Sequence, residues 1–131
     1  GELIFIAARP GMGKTSIALN IALAVAKHTD KAVAIFPEGR INPYRKLAHF
    51  RPGVFKIAQK ANVPIVVCTL RDTQYALKNA MKLKRSVVEL RLLDVIPAEE
   101  LKGVTAVAIG NRVHAMMAED LGPDLVLQEN T

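Results

Sequence analysis

Eight residues near the start of the chain, Ala8-Arg9-Pro10-Gly11-Met12-Gly13-Lys14-Thr15, make the most definite chemical statement in the sequence. They follow the phosphate-loop pattern G-x-x-x-x-G-K-[ST] except that Ala8 occupies the first glycine position. Glycines at 11 and 13 allow backbone N–H groups to turn inward, and the helix expected to follow adds unpaired first-turn donors and a dipole that favours an anion. Gly11, Met12, Gly13, Lys14, Thr15 and Ser16 are therefore the expected cradle for a phosphate or the polyphosphate tail of ATP or ADP. Lys14 would reach the terminal phosphates, and the Thr15 hydroxyl would hold Mg2+.

Such a loop needs a strand before it and a helix after it. Leu3-Ile4-Phe5-Ile6-Ala7 has the unbroken apolar run of a buried parallel strand. The residues from Lys14 to about Lys27 have helical character, with Ile17, Ile21, Leu23, Ala24 and Val25 on a broad apolar face. A second strand is expected at Ala32–Phe36, completing a right-handed parallel crossover. Ligands sit beyond the carboxyl ends of such strands, which puts Glu38 and Arg40 at the same end as the loop. A second magnesium-holding carboxylate is not evident, since Asp94 follows Leu92-Leu93 in a segment that reads as an edge strand.

The remainder predicts a helix over Gly53–Ala61, a strand over Pro64–Thr69 buried on both faces, and a short helix from Thr73 to Ala80 capped by Thr73. Lys78, Lys82, Lys84 and Arg85 form a basic connection. In Ser86–Val95, apolar Val88, Leu90 and Leu92 alternate with Glu89 and Arg91, the pattern of a strand with one wet face. Pro97–Leu101 reads as a helical turn and Val104–Leu121 as a long amphipathic helix closed by Gly122-Pro123, with Met116 and Met117 filling the core. From Asp124 the tail is expected to be a loosely attached strand or a disordered end. The fold class expected is α/β: a three-layer sandwich with a mostly parallel sheet of four or five strands and the phosphate loop after the first.

The chain has 131 residues, half of them hydrophobic but only 5% aromatic, and a net charge of +6. That length suits one domain, residues 1–131. The charge favours anionic partners, namely nucleotide phosphates, anionic lipid or nucleic acid, without choosing among them. The single cysteine, Cys68, lies in an apolar run and reads as a buried strand residue in a reducing, cytoplasmic compartment. No apolar run reaches the roughly 20 residues that span a bilayer. A start at Gly1-Glu2 carries no secretory signal pattern, and the missing initiator methionine implies a cut or excerpted chain. The long apolar edge at Ser86–Val95 offers a route to a homodimer. His28, His49 and His114 read as surface or helix-end residues.

Two resemblances follow from these residues. The opening through Ala8–Thr15 and Ala18-Leu19-Asn20-Ile21-Ala22 resembles the first strand, phosphate loop and helix of the bacterial replicative hexameric helicases, a RecA-like family in which alanine at position 8 is common. That resemblance implies a catalytic glutamate at the end of the next strand, where Glu38 falls. From about 33 to 121, Phe36-Pro37-Glu38-Gly39-Arg40, Phe50-Arg51-Pro52-Gly53-Val54-Phe55 and Asn62-Val63-Pro64-Ile65-Val66-Val67 are similar to the second half of the lysophosphatidic acid (1-acylglycerol-3-phosphate) acyltransferases. This implies a phosphate-site role for Glu38 and Arg40.

Those acyltransferases use a histidine followed, after four intervening residues, by an aspartate; here the matching positions after His28, His49 and His114 are Val33, Val54 and Glu119. The expected whole is thus an engineered or recombined chimera, with a loop segment over 1–30, an acyltransferase-like segment over 31–122 and a tail over 123–131. It would bind ATP or phosphate with weak or no hydrolysis and no obligatory cofactor. The alternatives are a residual lysophospholipid acyltransferase and a folding scaffold without activity.

Overall fold

A computed structural model describes residues 14–38, 46–71, 79, 82 and 84–126. Helix α1 spans Lys14–His28 and helix α2 spans Phe55–Ala61, entered through a 3-10 turn at Pro52–Val54. Strands β1, Ile65–Arg71, and β2, Glu89–Ile96, precede a 3-10 turn at Ala98–Leu101, helix α3 at Ala106–Leu121 and a last 3-10 turn at Pro123–Leu125. The caps explain the boundaries. Asn62 takes the left-handed conformation that ends α2, with its N–H donating to the Ala58 and Gln59 carbonyls. Thr105 accepts a hydrogen bond from the Ala108 N–H at 3.2 Å to start α3, and Gly122, at φ 85°, closes it.

Mixed helix and strand is as expected, but the sheet differs. Among the described residues it has two strands, β1 and β2, paired antiparallel, in place of a mostly parallel sheet of four or five. The segment expected as a strand at Ala32–Phe36 forms none. A central parallel strand needs hydrogen-bonding neighbours, and here the chain turns at once, with the Pro37 carbonyl accepting from the Arg51 N–H at 2.9 Å. The expected strand at residues 3–7 and most of the expected helix at 73–80 lie outside the described residues.

The core forms where α3 covers one face of the hairpin and α2 closes its side. Phe55, Val67, Ile96, Leu101, Ala106, Ile109 and Val113 make one buried cluster, against which Leu93, Met116 and Met117 pack. Gly110 permits the close approach of α2 and α3: a Cβ there would lie 3.0 Å from the Phe55 ring. Gln59 fastens α2 from the side, its amide donating to the Leu101 and Val104 carbonyls at 2.9 and 2.7 Å. The described start of the tail is held as well, since the Leu47 N–H donates to the Leu125 carbonyl at 2.6 Å and Leu47 bridges Val126 in parallel.

Three expectations about which side faces inward are corrected. The strand expected to be buried on both faces is covered by α3 on one only, so Val66 and Leu70 are exposed and Cys68 is half-buried. Ile17 and Ile21 of α1 are exposed, because α1 meets α2 through Leu19 and Leu23 and nothing described covers its other side. The apolar Leu90 and Leu92 of β2, and Val88 just before it, are exposed, whereas Glu89 and Arg91 lie on the side toward α3. A bulge opposite Val67 and Cys68, in which Asp94 pairs with Val67 and Leu92 with Cys68, fixes that register.

Leu101 is nearly inaccessible and central to this cluster. Leu101→Ala should cost about 2–5 kcal/mol of unfolding free energy in denaturant titration, the range for a large-to-small change in a packed core. A loss below about 1 kcal/mol would show that the turn at 98–101 is peripheral.

Candidate functional site

The phosphate-loop residues meet the structure only at their C-terminal end. Gly11, Met12, Gly13 and Arg40 lie outside the described residues. Lys14 and Thr15, the last two residues of the motif, lie in α1. Ser16 is exposed and, with Asn20, Leu19 and Leu23, lines one wall of a groove of about 210 Å3; Lys56, Lys60 and Ile57 of α2 line the other. The Asn20 amide donates to the Ser16 carbonyl at 3.0 Å, an internal tie of the helix. Lysines 56 and 60 are one turn apart, so both ammonium groups belong to the same face of α2.

Glu38 has a different set of neighbours. Its carboxylate accepts from the Ala48 N–H at 3.2 Å and exerts an attractive field on His114 of α3. The His114 ring donates to the Ala48 carbonyl, stacks with His49 at a 6.0 Å centroid separation and 12° tilt, and meets Phe50 edge-on at 4.9 Å. Burial, followed by repulsion from His49, holds the His114 pKa below the ordinary 6.5, against the raising effect of Ala48 and Glu38. His114 is thus neither a simple surface residue nor a helix end. Its partners lie far away in sequence, so no local pattern announces the pair.

Asp94 is committed elsewhere: one oxygen accepts from the Val95 N–H at 2.8 Å and the other lies 3.8 Å from Arg112. A second polar centre gathers on Asp120, near the C-terminus of α3. Its carboxylate accepts from the Thr69 hydroxyl at 2.7 Å and pairs with Arg71 at 3.4 Å and Arg91 at 3.2 Å. Arg71 also donates to the Asp120 carbonyl, and Arg91 pairs with Glu89 at 2.7 Å. The Thr69 hydrogen bond, with help from the two arginines, lowers the Asp120 pKa below the ordinary 3.8. Because Thr69, Arg71 and Arg91 lie on the strands and Asp120 on α3, this centre ties helix to sheet. Among the described residues no group of three or more His, Cys, Asp or Glu could hold a metal ion. No described helix is long and apolar enough to cross a membrane.

Comparison with known proteins divides the chain in two. Residues 1–40 match the DnaB-like helicase C terminal domain. The replicative DNA helicase DnaC of Bacillus subtilis (strain 168) is 63% identical over 35 residues, 27% of this chain and 8% of the helicase. The 1-acyl-sn-glycerol-3-phosphate acyltransferase alpha of Ovis aries is 30% identical over 109 residues, 79% of this chain and 38% of that enzyme. The Homo sapiens enzyme is 29% identical over the same share. No solved structure matches the chain.

The chain therefore carries a helicase-like segment and an acyltransferase-like segment, and spans well under half of each relative. A match over 79% of 131 residues leaves room for about 28 residues before it, so it begins inside the stretch that ends at residue 40. Glu38 belongs to the helicase match on this count and carries the acyltransferase resemblance through its own block.

The two polar centres predict acid lability in two windows. A folded His114 pKa depressed below 6.5 means that the unfolded chain binds the proton more readily, so this contribution is complete above 6.5 and declines as pH falls through it. The Asp120 contribution is present above 3.8 and is lost as pH falls from there toward its depressed folded value. Thermal melts from pH 7.5 to 3 should show both declines. His114→Gln should flatten the upper one and Asp120→Asn the lower; a wild-type profile flat between pH 7 and 5 would contradict the His114 environment.

Proposed function

We propose that this chain is a recombined or engineered single-domain α/β chimera that binds ATP or inorganic phosphate through residues 11–16 with weak or no hydrolysis. The observation that carries the reading is the match of residues 1–40 to the helicase domain, with the motif residues Lys14 and Thr15 in helix α1. The motif supports a phosphate held by the Gly11 to Ser16 amides and Lys14, with Thr15 as the Mg2+ ligand. Magnesium would neutralise phosphate charge and fix its geometry, and a basic chain in a cytoplasmic setting supplies the compatible background.

Weak turnover follows from the carboxylates. Glu38 bonds Ala48 and faces His114, and Asp94 faces Arg112, so neither is free to orient water or complete a magnesium site without losing a partner. The acyltransferase-like segment has no histidine and aspartate at the catalytic spacing, and its role in this reading is that of a scaffold for the loop.

Isothermal titration of Mg-ATP, Mg-ADP and phosphate into the chain and into Lys14→Ala tests the assignment. Lys14→Ala should weaken ATP binding at least about tenfold, the loss of roughly 1.4 kcal/mol. Equal binding by both chains would overturn it, as would a flat titration with all three ligands.

A further inference from the structure

The outer side of the hairpin is apolar along its whole length, and no described element covers it. Val66 pairs with Val95, Cys68 with Leu92 and Leu70 with Leu90, and directly opposed residues share a face. Val66 is 56% exposed, Leu90 65% and Leu92 64%, while on the opposite face Val67 and Thr69 are sealed beneath α3. The charges of the two strands are engaged away from the outer face: Arg71 and Arg91 on Asp120, Glu89 on Arg91, and Asp94 on Arg112. A sheet face made of valine, leucine and cysteine without a charge is the composition of an interior.

We infer that this face is the interface between two copies of the chain, packed outer face to outer face about a two-fold axis. These six side chains and Val88 offer roughly 600 Å2 of apolar surface per copy, so a pair would bury on the order of 1,200 Å2, enough for a specific interface of standard size. A two-fold arrangement is self-complementary for such a surface, since each leucine row meets a leucine row and no charge is left unpaired. Two twisted hairpins stacked in this way make the sandwich that neither completes alone, with sheets about 10 Å apart. The sequence pointed to a strand edge as the dimer contact; the register moves it to the face.

Light scattering across a dilution series from about 1 to 300 µM tests this on the full chain. The mass should approach twice the 14.3 kDa of one copy at the upper end. Leu90→Lys and Leu92→Lys, at residues already exposed in one copy, should each retain the circular dichroism of the parent and raise the dimer dissociation constant at least about a hundredfold by placing ammonium groups in an apolar contact. Val107→Lys, at an equally exposed apolar position on α3, should leave the mass unchanged. A parent chain that stays monomeric throughout overturns the inference, and so does a dimer indifferent to both leucine changes. A monomer that co-sediments with phosphatidylserine vesicles, and loses this on Leu92→Lys, would also overturn it by assigning the face to a lipid surface.

Discussion

Everything on the acyltransferase-like side hangs on the junction of α3 with the hairpin, and Asp120 is its polar half. The apolar half, Ile96, Leu101, Ile109 and Val113, is non-directional and would tolerate a rotated helix. The carboxylate removes that freedom. One oxygen accepts from Thr69 on β1 and the other pairs with Arg91 on β2, so α3 has a single rotation that serves both strands. At 14% side-chain exposure Asp120 is shielded enough for its partners to matter and open enough that the ions keep some hydration.

That junction sets the position of the histidine cluster. Rotation of α3 that points Asp120 at the hairpin carries His114, nearly two turns earlier, toward the 48–50 segment, where it meets Ala48, His49 and Phe50. Glu38 enters the same place through Ala48, and Pro37 through Arg51, so the end of the helicase-like stretch is bound by one side-chain and one main-chain acceptor to N–H groups of the segment just before α2. The seam between the two resemblances is therefore held by polar contacts, whereas α1 is held by its groove against α2. Helix α1 is joined to the rest of the described fold through few buried apolar side chains, which leaves Ile17 and Ile21 in water.

Legibility in the sequence followed the range of the interaction. The strand at 64–69, the helix at 53–61, the helical turn at 97–101 and the helix ending at Gly122-Pro123 were readable because capping, alternation and apolar runs are local signals. The parallel sheet was an inference from strand and helix alternation, and it failed at Ala32–Phe36, where hydrogen-bonding neighbours and not composition decide whether a chain becomes a strand. The facing of β2 was misread for a related reason. Alternation shows that Leu90 and Leu92 oppose Glu89 and Arg91, but which side meets α3 depends on Asp120, some thirty residues away. His114 and His49 were unreadable on the same ground. The phosphate motif was legible as chemistry, yet only its last residues, at the start of α1, fall where the structure describes them.

The apolar outer face and the half-used surface of α1 have a common origin. β1 carries Ile65, Val66, Val67 and Cys68 in succession, a run suited to burial on both sides, and such strands belong to sheets covered by two layers. Here α3 supplies one layer and nothing described supplies the other. A helix placed across the outer face would need a matching apolar stripe, and Ile17 and Ile21 of α1 form part of one, but α1 is committed to α2 through Leu19 and Leu23. The covering layer must then come from outside the described fold, and its chemistry is constrained. It must be apolar, roughly as broad as two strands, and free of charges opposite Leu90 and Leu92, because a buried unpaired charge costs more than the leucine contacts return. Another copy of the same hairpin meets each of these conditions by construction.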